Sequence, residues 1–191
     1  MTIMTKDIDK LQKEHTDFVK LLDLLEAQIG LFHRGERPDY DLMLDIFYYM
    51  THYPDRFHHP KEDLAFARLA ERDTSTRLAV EELARQHRVI AESGSRFLDN
   101  LNAALAGTML TRESVEIPAL EYVTFYRNHM KMEERELFPL ARTLLRDDDW
   151  ASISVAIEST EDPLFGSQIE ARYRSIHQQI TRAAQCGCAV D

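Results

Sequence analysis

Residues 8–25 read IDKLQKEHTDFVKLLDLL. Ile8, Leu11, His15, Phe18, Val19, Leu22 and Leu25 recur at the intervals that bring side chains onto one face of an α-helix. A half-buried strand would alternate apolar and polar residues instead, and this stretch does not. His15 sits inside the apolar stripe. A lone histidine there is more often a packed, hydrogen-bonded residue than a ligand, so His15 by itself decides only the helix.

The same period continues outward. Glycines and a proline in GLFHRGERPD, residues 30–39, end the first helix. A second helix is expected from about Asp39 to Glu71, kinked but continuous, because Pro54 and Pro60 fall inside it. Thr74 or Ser75 caps a third helix carrying Leu78, Leu83, His87, Ile90, Phe97, Leu101 and Leu105, which stops near Gly107. A fourth runs from about Thr111 through Ile117, Leu120, Phe125, His129, Leu137, Leu140 and Leu144, and the run of aspartates at 147–149 closes it. Two further helices, one short and one longer, pack outside these four. Long helices with short connections predict an all-α fold, an antiparallel up-and-down four-helix bundle with additional C-terminal helices. The expected organisation is a bundle over 1–146, a helical extension over 147–185 and a flexible tail over 186–191.

Composition agrees. Of 191 residues, 44% are apolar and 29% charged, with only six Gly and six Pro, too few punctuators for an all-β chain. A net charge of −10 argues against nucleic acid as a partner. No apolar run approaches a membrane span and the polar N-terminus lacks a signal-peptide core, so no membrane association and a cytoplasmic location are expected. Cys186 and Cys188 lie in a terminal C-x-C, a weak motif read as two thiols of a frayed tail.

Chemistry enters with His58-His-Pro-Lys-Glu62 and His129-Met-Lys-Met-Glu133. Residues four apart on a helix lie one above the other, so each segment offers an imidazole and a carboxylate to one point. Two such pairs are weak evidence alone. The distance from His15 to His58 nearly equals that from His87 to His129, and this makes the chain two matched halves of the form H…HxxxE. Glu62 and Glu133 are each followed by a further acid, Asp63 and Glu134. Folding two such hairpins together gathers four imidazoles and two carboxylates around one centre. That set is too rich for a structural zinc, and four nitrogens argue against calcium or magnesium. It suits two borderline metals with carboxylate bridges. Two dications would also offset the cost of burying two glutamates.

The pattern H…HxxxE…H…HxxxE resembles the hemerythrin-like, or HHE cation-binding, family, and the strings HHPKED and HMKMEERELFPLA are similar to its bacterial members. The resemblance covers residues 8 to 145, and the DPLFG and RYRSIHQQI segments resemble the family's C-terminal extension. It implies two non-haem iron ions, with zinc or manganese as substitutes. His15 and His58 would serve one iron, His87 and His129 the other, and Glu62 and Glu133 would bridge them. The implied small ligand is dioxygen, peroxide or nitric oxide. Oxygen carriers of the family have a second histidine one turn from the third-helix ligand, where this chain has Leu83 and Ala91, and an aspartate at +5 where it has Glu133 at +4. These departures point away from simple oxygen carriage, towards stress response or sensing, with peroxidase-like, catalase-like or NO-related redox activity left open. An iron-responsive interaction, storage or donation module is the alternative. The site looks symmetric, with Tyr126 and more weakly Tyr53 as nearby phenols. His59 is expected in the second shell or at the surface, and His33, His52 and His177 in solvent.

Overall fold

A computed structural model describes residues 3–108, 111–157 and 160–186. Helix α1 spans Ile3–His33, α2 Tyr40–Tyr53, α3 His59–Arg72, α4 Arg77–Leu105, α5 Glu113–Met132 and α6 Phe138–Leu144. Helices α7, Asp147–Ala156, and α8, Arg174–Cys186, follow. Among the described residues there is no strand, and no helix is long and apolar enough to cross a membrane. Cys186 is the last residue of α8, and Cys188, with the rest of the expected tail, lies outside the described residues.

The connections are short because the helix ends are well specified. Asp39 caps α2 by accepting from the Leu42 backbone at 3.0 Å. Gly35 and Gly107 take φ of +78° and +94° after α1 and α4. Glu36 then bonds back to the Leu31 carbonyl and Thr108 to that of Ala103, a left-handed closure that glycine adopts without strain. Neighbouring contacts α1 with α2, α2 with α4, α4 with α5, and α5 with α1 close a ring of four.

Two of the four bundle members are interrupted. Pro54–His58 forms a π-helical turn between α2 and α3, and Glu133–Leu137 forms another between α5 and α6. In each, the residue after the turn bonds five back, His59 to the Pro54 carbonyl and Phe138 to that of Glu133. A proline, Pro60 or Pro139, stands two residues beyond each turn, where the regular i to i−4 ladder is already broken and a missing N–H costs least. The irregularity expected at Pro54 and Pro60 is therefore an added residue in the turn.

Apolar residues collect in two clusters. One holds Phe18, Leu22, Ile46, Phe47, Phe97 and Tyr126 among others, the second Ile8, Leu11, Phe66, Leu83, Phe138 and Trp150. Along α1 the changeover between them falls at His15, and along α4 at His87. The extension packs on both: Trp150 and Ile153 join the second cluster, and Leu164, Tyr173 and Ile176 the first. Tyr49 donates to Asp162 at 2.7 Å, and Arg172 lies 3.3 Å over the Tyr48 ring.

Three expectations fail in detail. Leu78 is 80% exposed, and Leu105, Ile117, Leu120 and Leu140 are also exposed. The buried stripe of α4 begins at Leu83, about 140° round the helix from Leu78, and that of α5 follows Val115, Ala119, Tyr122 and Tyr126. The aspartates at 147–149 open α7 rather than close the bundle, their charges suiting a helix N-terminus and Asp149 accepting from the Arg146 backbone at 2.8 Å. His52 is half-buried, its ring stacked on Tyr48 at 3.7 Å.

Candidate metal centre

Between the two apolar clusters lies a layer of buried polar side chains. His15 from α1, His58 from the first π turn, His87 from α4 and His129 from α5 converge there, with Glu62 from α3 and Glu133 from the second π turn. Both glutamates are 0% exposed. The structure thus brings together all six residues that the spacing singled out.

Each carboxylate spans the two halves. Glu62 Oε1 is 3.1 Å from His58 Nε2 and 3.3 Å from His15 Nε2, while its Oε2 is 3.6 Å from His87 Nε2. Glu133 Oε1 is 3.4 Å from Nε2 of both His129 and His87, and its Oε2 is 3.4 Å from His15 Nε2. None of these four oxygens makes a hydrogen bond of good geometry among the described residues, and neither do Nε2 of His87 and His129. Buried polar atoms left this way are costly unless something else binds them. A pair of cations fits that donor set.

A fifth imidazole belongs to the layer. His59 is buried, and it groups with Glu62, His87 and His129 so that one donor atom from each lies within 4.8 Å of the others. His15, His58 and Glu62 form the second such group. On a regular helix His59 would turn about 100° from His58, which is why it was expected in the second shell or at the surface. The π turn ending at His58 alters that relation, and both rings face inward. Pro60 beside a histidine pair was the available signal, but a proline alone does not specify a π turn. The centre is consequently unsymmetric, with two nitrogens on one side and three on the other.

Every one of the five rings is held from behind. Nδ1 of His15 meets Glu134 at 3.0 Å, His58 meets Glu14 at 2.7 Å, and His59 meets Asp55 at 3.1 Å. His87 meets Asp63 at 2.8 Å and His129 meets Gln86 Oε1 at 3.1 Å. With an oxygen accepting at each Nδ1, the proton stays on that atom and Nε2 keeps its lone pair, turned to the glutamates in His15, His58, His87 and His129 and to the Tyr126 hydroxyl in His59. Tyr126 is fully buried with its hydroxyl 3.0 Å from His59 Nε2, and Tyr53 donates to Glu14 at 3.3 Å. The two phenols thus adjoin the centre, Tyr126 through His59 and Tyr53 through Glu14. His33 is exposed and His177 half-buried, both apart from it.

Electrostatics follow from this crowding. Burial pulls His15 down, yet its hydrogen bond to Glu134 and the close Glu62 carboxylate overcome it and lift the ring to about 10. His87 is likewise lowered by burial but raised on balance by Asp63, Glu133 and Glu62, to about 12. Burial, then the charges on His87 and His59, drop His129 to about 2. Burial and the neighbouring Glu62 charge push Glu133 up to about 7. Imidazolium protons thus balance the carboxylates in the metal-free protein, and cations would take over that task.

A cleft of 360 Å³ between α1 and residues 160–166 has Lys10, Lys13, Glu14, Tyr53 and Asp162 among its walls, and it adjoins the layer only through Glu14, which is bonded to His58. The larger cavity, 700 Å³ between α4 and α5, is lined by Phe97, Tyr122 and Phe125 and by none of the five imidazoles or two glutamates.

In comparison with known proteins, the family model of the hemerythrin HHE cation binding domain matches residues 6–141. Neither the curated proteins nor the solved structures give a match.

Proposed function

Since the chain belongs to the hemerythrin HHE cation-binding family, we propose that it is a non-haem di-iron protein that binds or reacts with a small ligand, dioxygen, peroxide or nitric oxide. The observation that carries this reading is the span of Glu62 and Glu133, each directing one oxygen to the His15 side and the other to the His87 side. His15 and His58 would hold one iron, His59, His87 and His129 the other, and Glu62 and Glu133 would serve both.

Iron bound there supplies redox chemistry and open positions for a diatomic or peroxidic ligand. The chain's own residues do the rest. The five outer oxygens fix ring tautomers and orientations, so little reorganisation is needed on loading. The apolar clusters above and below exclude bulk water, which limits side reactions. The His15 side offers one protein nitrogen fewer, and a small ligand would be expected there. Glu14, on the wall of the cleft between α1 and residues 160–166, accepts from His58 and so links that cleft to the centre.

A role in redox or nitrosative stress, or in sensing, is the physiological reading we prefer over oxygen carriage. The buried, unpaired glutamate oxygens also favour a second reading, an iron-responsive module whose folding is completed by metal. Anaerobic iron loading followed by separate exposure to dioxygen, peroxide and nitric oxide tests the choice. New charge-transfer bands with at least one of them support small-ligand chemistry. An unchanged spectrum with all three, together with large metal-dependent stabilisation, favours the module.

A further inference from the structure

The two halves match beyond the residues aimed at the centre. Glu14 precedes His15 as Gln86 precedes His87, and Asp63 follows Glu62 as Glu134 follows Glu133. Their contacts match too. Glu14 holds His58 and Gln86 holds His129, each within its own half. Asp63 holds His87 and Glu134 holds His15, each crossing to the other half. Among the four paired rings the pseudo-twofold relation therefore extends through the outer layer with one break in charge, a carboxylate behind His58 and an amide behind His129, while His59 with Asp55 behind it has no counterpart in the other half.

Both side chains are oriented for the task. The Gln86 amide nitrogen donates to Glu82 at 2.8 Å, which assigns the oxygen to His129. Tyr53 donates to Glu14 Oε1, leaving Oε2 for His58. Lys10 lies 3.8 Å from Oε1 on the solvent side. A carboxylate accepting from Nδ1–H draws the proton outward and makes Nε2 a stronger donor than an amide does. A stronger donor favours the more highly charged metal ion. Inside a dry layer that difference is weakly screened.

We infer that Glu14 and Gln86 are positioning residues that back equivalent imidazoles with unlike charge and so hold the two irons at different reduction potentials. The inference rests on the di-iron reading above.

The test uses full-length protein as wild type, Glu14→Gln, Gln86→Glu and the double exchange, each loaded with iron. Iron per chain is measured first, then the one-electron midpoints against an electrode, with Mössbauer spectra of frozen samples. Expected are two irons in every form. Gln86→Glu should lower one midpoint and Glu14→Gln should raise the other, each by about tenfold in the equilibrium, or roughly 59 mV. The affected Mössbauer doublet should differ between the two single variants, and the double exchange should show both shifts. Two irons with wild-type midpoints in both single variants, or the same doublet moving in both, would overturn the inference while leaving the di-iron reading intact. So would a variant that folds but loses iron, because its residue then serves assembly. If Gln86→Glu does not fold, Glu14→Gln decides alone: a raised midpoint supports, an unmoved one overturns. A wild type that takes up no iron overturns the di-iron reading and the inference with it.

Discussion

His15 and His58 face each other Nε2 to Nε2 at 3.1 Å, although a carboxylate stands behind Nδ1 of each ring. Two neutral rings so held would point lone pair at lone pair. A proton or a metal cation between them removes that repulsion, and the choice between the two produces a pH dependence.

In the metal-free protein His15 and His87 are raised above the ordinary histidine value of about 6.5. A raised group stabilises the fold fully below its unfolded value, and the contribution is lost as pH climbs through the folded value. Metal-free protein should therefore lose thermal stability from about pH 7 to about 10 as His15 gives up its proton, and on towards about 12 as His87 does. Metal affinity should move oppositely, rising by up to about tenfold per pH unit for each proton displaced. Melting curves and competition titrations across that window check both signs. A pH-independent affinity would mean that no imidazolium gives way to metal.

Glu62→Ala and Glu133→Ala should each lose at least one metal equivalent, since each removes both oxygens of a bridge. His177→Ala should change nothing. Elemental analysis of the purified variants is sufficient, and two irons retained in both glutamate variants would sink the bridging assignment.

The crossed supports can be tested by affinity. Asp63 and Glu134 are each half-exposed, so their removal disturbs packing little. Asp63→Ala and Glu134→Ala should each weaken metal binding by roughly 10- to 100-fold. Affinities within twofold of wild type in both would show that the rings need no such support.

Trp150 is buried in the second apolar cluster although it lies past the bundle. Trp150→Ala should destabilise the protein by about 3–5 kcal/mol, from lost transfer and the cavity left behind. A denaturant midpoint close to wild type would mean that α7 docks only loosely.

How much of this was legible in the sequence differs residue by residue. Ile8 to Leu25 gave helix α1 and its buried face because the period of 3.6 was unbroken there. Leu78 was assigned to the same kind of stripe and is exposed, since it lies about 140° round α4 from Leu83 and the stripe was extended past its phase. His15, His58, Glu62, His87, His129 and Glu133 were legible through paired spacing, which survives small irregularities. His59 was not, because its direction depends on the π turn at Pro54–His58, and the sequence shows only prolines nearby. The outer oxygens were half-legible: Asp63 and Glu134 stood out as repeated acids, but nothing in one dimension says that they cross to the other half. Glu14 and Gln86 were visible only as neighbours of histidines.

The most direct test of the central claim is iron per chain in protein purified from iron-supplemented cells, read with its visible spectrum before and after reduction. About two irons per chain, with charge-transfer absorption that changes with oxidation state, is the result expected of five imidazoles and two bridging carboxylates. Protein free of iron, and no less stable in the presence of a chelator, would contradict the claim and leave the buried layer a structural one.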